Sequence, residues 1–316
     1  MADRINVGIS TCLTGESVRY DGGHKLDHFL TDTLGQYVAY LPVCPEVECG
    51  LSVPRESMRL IGKPDSPRLV TLKTKIDHTD RMLTWAARRV KELEKEELCG
   101  FIFKSKSPSS GMERVRVYSD TGMPAKTGIG LFARVFMEHY PLIPVEEEGR
   151  LHDPKLRENF IERIFALKRW RELRSQESRL GRLVEFHTLN KLLLLAHSET
   201  HYRTMGKLVA RGKEMPIVKL YGEYERLLME ALRLKSTIRK NTNVLLHMMG
   251  YFKKQLSPDE KQEMLEIIDQ YRQGHIPLIV PVTLIKHFVR KYQQSYLKNQ
   301  SYLNPHPMAL QLRNHA

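Results

Sequence analysis

Three hydrophobic runs in the first 111 residues each end in a small, polar, turn-prone cluster. Ile5–Thr11 leads into Cys12, Leu41–Val43 into Cys44-Pro45-Glu46, and Gly100–Phe103 into Lys104-Ser105-Lys106-Ser107-Pro108-Ser109-Ser110-Gly111. In an open parallel sheet the carboxyl ends of the strands share one crevice, and ligands bind there. Two thiols and a carboxylate brought to that crevice suggest a metal or sulfur site, because soft thiolates select zinc, copper(I) or iron–sulfur centres. Ser110 occupies the position where a third cysteine would complete the set. Glu46, two residues beyond Cys44, would add a proton-transfer group. The serine-rich loop offers hydroxyls and backbone N–H groups, a nest for an oxygen or an anion. Each feature has a plainer reading: a lone cysteine after a strand is a small buried hydrophobe, and a serine-rich segment is a polar turn.

Other segments carry weaker signals. Gly22 and Gly23 permit a tight backbone or close approach to a ligand. Thr127-Gly128-Ile129-Gly130 precedes a helix and could hold phosphate, but ordinary helix–turn geometry is favoured. His197 and His201 share a helix face at i,i+4 spacing, and His187 lies nearby in sequence. With no third ligand evident, hydrogen-bonded surface histidines, or phosphate contacts beside Lys191, Arg203, Lys207 and Arg211, are favoured over a metal.

These residues must be positioned by two kinds of architecture. Strands at Ile5–Thr11, Tyr37–Val43, Arg68–Thr74, Gly100–Lys104, Val115–Tyr118 and Leu142–Val145 alternate with helices at Asp27–Leu34, Thr79–Leu93 and Gly130–Glu138. That alternation predicts an α/β domain with a mostly parallel sheet. Beyond Asp153-Pro154 only helical periodicities appear: Leu156–Leu173, Leu180–Leu195, Glu199–Ala210, Ile217–Leu234, Thr237–Phe252, Asp259–Arg272 and Val282–Lys298, an all-α carboxyl-terminal domain. The expected division is an α/β domain over 1–150, a helical connector over 151–185 and a basic helical domain over 186–316.

Among the 316 residues the net charge is +13, yet acidic and basic residues balance through Arg150, so the excess lies entirely after it. A basic excess of this size concentrates polyanions, and nucleic acid is favoured over a merely solvated surface. No apolar run reaches membrane-spanning length. The start, Met1-Ala2-Asp3-Arg4-Ile5, is too short and polar for a signal peptide. Four cysteines, Cys12, Cys44, Cys49 and Cys99, read as thiols or ligands rather than a disulfide frame, and a cytoplasmic protein is expected.

Taken together, Ile9-Ser10-Thr11-Cys12-Leu13, Val18 through His24, Pro42-Val43-Cys44-Pro45-Glu46 and Lys104 through Gly111 resemble the thiouracil desulfidase family. Phe186-His187 through Ala210 and Tyr302-Leu303-Asn304-Pro305 resemble the YbgA-type helical domain often fused to it, an arrangement similar to bacterial RNA 4-thiouridine desulfidases. The resemblance implies a [4Fe–4S] cluster on three cysteines with one iron open, and non-redox conversion of 4-thiouridine in tRNA to uridine. Cys12 and Cys44 match two ligands. The third position is Ser110, and clusters are held by thiolates. Cys49 is the credible substitute, since about five strand residues put Cys99 roughly 16 Å away at the wrong end. By the same resemblance Glu46 would help water add at C4, Ser107 would lie near substrate, and the helical domain would hold the RNA backbone, with the target nucleotide unstacked or flipped. Two rivals stand beside this reading: a catalytically impaired nucleic-acid-binding protein, with Ser110 marking the loss, and a desulfidase of free thiouracil.

Overall fold

A computed structural model describes residues 4–119 and 121–315. Residues 1–3, on which the expectation about a signal peptide partly falls, lie outside the described residues. The chain divides into two compact units at Leu156/Arg157. Residues 157–185 therefore belong to the helical unit.

The first unit contains two four-stranded sheets. One has the order β2 (Val38–Val43), β1 (Ile5–Ser10), β5 (Gly100–Phe103), β8 (Val145–Glu147), with every neighbouring pair parallel. Its central strand β5 is wholly buried, as expected of a parallel sheet covered on both faces. Helix α2 (Thr79–Glu92) and helix α3 (Leu131–His139) supply Trp85, Phe132 and Phe136 to the core. The rings of Phe101 and Phe103 lie 4.4 Å apart, and Phe136 sits 4.7 Å from Phe101. Each such buried ring contributes about 1.5–3 kcal/mol.

The second sheet has the order β4 (Ser66–Thr71), β3 (Met58–Lys63), β6 (Val115–Tyr118), β7 (Pro124–Gly128). It is mixed: β3 runs parallel to β6, whereas β3–β4 and β6–β7 are antiparallel. The expected helix at Asp27–Leu34 is instead a single π turn at Phe29–Thr33 followed by a 3-10 turn at Leu34–Gln36. The Asp27 carboxylate accepts the Leu30 amide and so tightens the first turn.

The second unit is helical: α4 (Pro154–Arg174), α5 (Leu180–His197), α6 (Glu199–Ala210), α7 (Ile217–Arg233), α8 (Ile238–Met249), α9 (Pro258–Arg272), α10 (Ile279–Lys291) and the short α11 (Ser295–Lys298), with α1 (Pro45–Glu48) in the first unit completing the numbering. Trp170 of α4 stacks on Tyr224 of α7 at 5.1 Å and meets Phe186 of α5 at 5.3 Å. Ser257 and Glu260 form a reciprocal capping box at the start of α9, which satisfies two of its free amides. The single helix expected over Val282–Lys298 is broken after Lys291, where Gln293 adopts φ 50°. No helix among the described residues is long and apolar enough to cross a membrane. The architecture is thus the expected α/β domain with a largely parallel sheet, followed by an all-α region.

Candidate functional site

Because β2, β1, β5 and β8 are parallel, their carboxyl ends lie along one edge, and the segments leaving β1, β2 and β5 line a pocket of about 390 Å³. After β1 the chain makes a 3-10 turn over Thr11–Thr14, closed by Gly15 at φ 98°, a left-handed conformation that glycine adopts at no steric cost. This turn presents Cys12. After β2, Pro45 opens α1 and the Glu48 carboxylate reaches back to accept the Cys44 amide at 2.9 Å. After β5, the Lys104 amide donates to the Ser10 hydroxyl at 2.9 Å, tying the loops of β1 and β5 together.

The serine loop is fixed by helix α3. The Leu131 amide donates to the Pro108 carbonyl at 3.2 Å, and the Phe132 and Ala133 amides donate to the Ser109 carbonyl at 2.9 and 3.2 Å. The free amides of the helix start are therefore used inside the protein. A Cβ on Gly130 would stand 2.5 Å from the Ser109 carbonyl. The glycines at 128 and 130 thus serve close backbone packing.

Cys12, Cys44, Glu46, Ser107 and Ser110 all line this pocket. The Cys44 thiol lies 3.6 Å from Glu46 Oε2, and Arg55 Nη2 approaches the same oxygen at 3.8 Å. Ser109 donates to Glu46 Oε1. Ser107 does not reach Glu46; its hydroxyl lies 2.9 Å from that of Ser109 and accepts the Ser109 and Ser110 amides at 3.3 and 3.2 Å. Arg55 is a pocket residue that sequence reasoning missed, because nothing in its local spacing marks it; Ser109, within the expected loop, lies fully buried behind the pocket wall and reaches Glu46 from there. Burial pushes the Cys12 thiol up to about 11, against the pull of Lys104. Burial, with the Glu46 charge, pushes Cys44 up to about 12.

Cys49, the expected substitute for the third donor, is not among the residues that line the pocket. Its thiol points at the Glu46 backbone carbonyl, 3.3 Å away. Arg81 holds the Cys49 and Gly50 carbonyls at 2.7 and 2.9 Å, which anchors the segment away from the pocket. Cys99 is buried at the start of β5, its amide donating to Asn6.

The pocket therefore offers two thiols and, at the third position, the buried hydroxyl of Ser110. Among the described residues, the group of three metal-capable donors that converges is Glu158, Glu162 and His306 in the helical unit, with atoms within 4.8 Å of one another and no sulfur. This overturns the expected [4Fe–4S] cofactor, and with it iron–sulfur-dependent desulfuration of 4-thiouridine, the enzyme assignment and the iron–sulfur and metal-binding attributes. A cluster with one open iron needs three thiolates, and this donor set does not supply them.

The acidic group is itself charge-compensated. Arg313 meets Glu158 at 3.3 Å and Glu162 at 2.9 Å, His197 Nε2 lies 3.1 Å from Glu162, and His315 approaches Glu158 at 3.3 Å. Burial and the neighbouring Glu162 charge push the Glu158 carboxyl above the usual carboxylate range. Glu158 and Glu162 stand at i,i+4 on one helix and could have been paired from sequence; His306, in the irregular tail, could not. The histidines at 187, 197 and 201 go to separate places. His187 faces Tyr224, His197 is fully buried against Glu162 and the Leu234 carbonyl, and His201 bonds Ser198. His197 is thus a core histidine rather than a surface one.

Of the basic residues expected to meet phosphate, Arg203 pairs with Glu199 at 2.5 Å and Arg211 with Glu214 at 2.7 Å. Lys191 lies over the Tyr296 ring at 4.9 Å, and Lys207 is exposed on α6.

A family model described as 2-thiouracil desulfurase matches residues 7–148, and one described as a protein of unknown function (DUF1722) matches residues 191–307. The chain is similar to the uncharacterized protein YbgA of Escherichia coli (strain K12), 34% identical over 153 residues, 48% of this chain and 90% of that protein. It is also similar to the uncharacterized protein YbbK of Bacillus subtilis (strain 168), 28% identical over 137 residues, covering 41% and 88%. A solved structure titled a [4Fe-4S]-dependent thiouracil desulfidase, TudS, aligns with TM-score 0.40 and 27% identity over 48% of this chain and 95% of that one. The chain belongs to the YbgA family, with a thiouracil-desulfurase-type domain preceding the YbgA-type helical domain.

Proposed function

We propose that this chain is a nucleic-acid-binding protein whose amino-terminal pocket recognises a nucleotide and has lost cluster-dependent chemistry, with tRNA as its partner. The observation that carries the reading is Ser110, buried in the pocket wall beside Cys12 and Cys44, where a third thiolate would be required. The pocket wall still carries Lys25 and Lys106, together with Arg19, Arg55 and Lys104, which pair with Asp21, Glu46 and Glu148. Its volume falls in the range of small-ligand sites, and its charge suits a nucleotide phosphate. In this reading Ser107 and Glu46 are hydrogen-bonding groups for a base held out of its stack.

The charge excess beyond Arg150 supports contact with an RNA backbone by the helical unit. Lys191 and Lys207 contribute to it, and Arg203 and Arg211 contribute less because each already holds a carboxylate. Four free buried thiols suit a reducing, cytoplasmic setting.

The test titrates purified protein into labelled tRNA carrying 4-thiouridine while recording thiobase absorbance. Tight, salt-sensitive binding with unchanged absorbance is the expected result. Absence of binding at low salt, or turnover of the thiobase, defeats the reading.

A further inference from the structure

The amino-terminal unit has no excess of charge, yet its cations are not spread evenly. A groove of about 740 Å³ adjoins the pocket and shares Met58, Ser105, Lys106 and Pro108 with it. Arg59, Arg114, Arg116 and Lys126 line the rest of it. Arg116 on β6 is the register partner of Lys126 on β7. Arg59 and Arg116 immediately precede the paired residues Leu60 and Val117 on β3 and β6. Three cations thus stand side by side across three neighbouring strands, flanking the buried Leu60 and Val117 on the outward face.

Like charges placed opposite one another destabilise a sheet, so the row opposes folding unless an anion covers it. These cations make no ion pair among the described residues. Arg59 lies over the Tyr118 ring at 4.8 Å, and its Nε is buried without a hydrogen-bond partner. The two carboxylates on the groove wall are already engaged: Glu113 with Arg150 at 2.5 Å, and Glu147 with the Met112 amide at 2.9 Å.

We infer that this groove is a second RNA-backbone tract, on the α/β unit itself, that holds the phosphates next to the nucleotide entering the pocket. The inference rests on the proposed RNA-binding function and adds to it a surface that net charge conceals. Arg59, Arg116 and Lys126 contact successive phosphates, and exposed Lys106, on the wall common to groove and pocket, contacts the phosphate at the pocket mouth.

The experiment measures tRNA affinity of the full chain against salt concentration for wild type, Arg116→Gln/Lys126→Gln and Lys106→Gln. Arg88→Gln is the control, because Arg88 is exposed on α2 and paired with Glu92. Each lost phosphate contact lowers the log–log salt slope by about 0.7 to 0.9. The double variant is therefore expected to lose about 1.5 units of slope, and Lys106→Gln roughly half of that, with Arg88→Gln unchanged. Thermal melts verify folding, and Lys106→Gln, in an exposed loop, gives the same readout should the double variant unfold. Unchanged slopes in the groove variants, or an equal drop in Arg88→Gln, overturn the tract while leaving RNA binding intact. Failure of the wild type to bind RNA removes the underlying reading instead.

Discussion

The Ser109 hydroxyl donates to the Glu46 carboxylate across 63 positions of sequence. This contact joins the loop after β5 to the short helix after β2 and closes one side of the pocket. Ser110, next along the same loop, is the residue that separates this pocket from a three-thiol site.

Replacing Ser110 tests that separation directly. After anaerobic reconstitution with iron and sulfide, Ser110→Cys should retain iron and acid-labile sulfide after desalting, and the wild-type chain should not. Metal and sulfide assays on the two proteins in parallel provide the check, and equal contents would show that residue 110 is not what decides cluster retention.

The glycine that opens α3 holds the serine loop in place. Gly130→Ala puts a methyl 2.5 Å from the Ser109 carbonyl, and such crowding costs about 1–3 kcal/mol. Denaturant unfolding should register that loss, and tRNA affinity should fall with it. Stability within error of wild type would mean that the backbones separate easily.

In the helical unit, Arg313 lies fully buried between Glu158 and Glu162. Arg313→Met leaves two carboxylates without their cation, and breaking a buried pair in this way costs about 3–5 kcal/mol. Urea unfolding of the full chain measures it. A loss under about 1 kcal/mol would assign the network's support to His197 and His315.

His187 gives the expected acid dependence. Burial, aided by nearby Lys191, pushes its imidazole down to about 4 from the usual 6.5. It faces Tyr224 of α7, and Gly206 of α6 lies beside its ring. A depressed histidine is neutral in the folded protein and protonates first in the unfolded chain, so its contribution is complete above about pH 6.5 and fades as pH falls towards about 4. The melting temperature should drop across that window, and His187→Phe should flatten the drop. An equally steep profile in the variant would place the acid sensitivity elsewhere.

Much of this architecture can be read from residue order. β1, β2 and β5 are near-continuous apolar runs because a covered parallel strand has no polar face, and such runs suffice to place Cys12, Cys44 and the serine loop at one edge of the sheet. β3 and β7 escape notice because Met58–Lys63 and Pro124–Gly128 mix glycine, proline and lysine on a half-exposed mixed sheet, where no alternation survives. The break at Gln293 is silent because a positive φ at a non-glycine residue has no marker in sequence. Arg55 and Ser109 meet Glu46, and Arg59 lines up with Arg116 and Lys126, only through long-range pairing. Net charge hides the latter row altogether, since carboxylates elsewhere in the unit cancel it.

The use of the α3 amides by Pro108 and Ser109 has a mechanical corollary. The serine loop is welded to a helix whose other face is the phenylalanine core, so that side of the pocket inherits the stiffness of the interior. Adaptation to different guests will be found instead along Val18, Arg19, Tyr20 and Lys25, which line the pocket on either side of the solvent-exposed turn at Gly22.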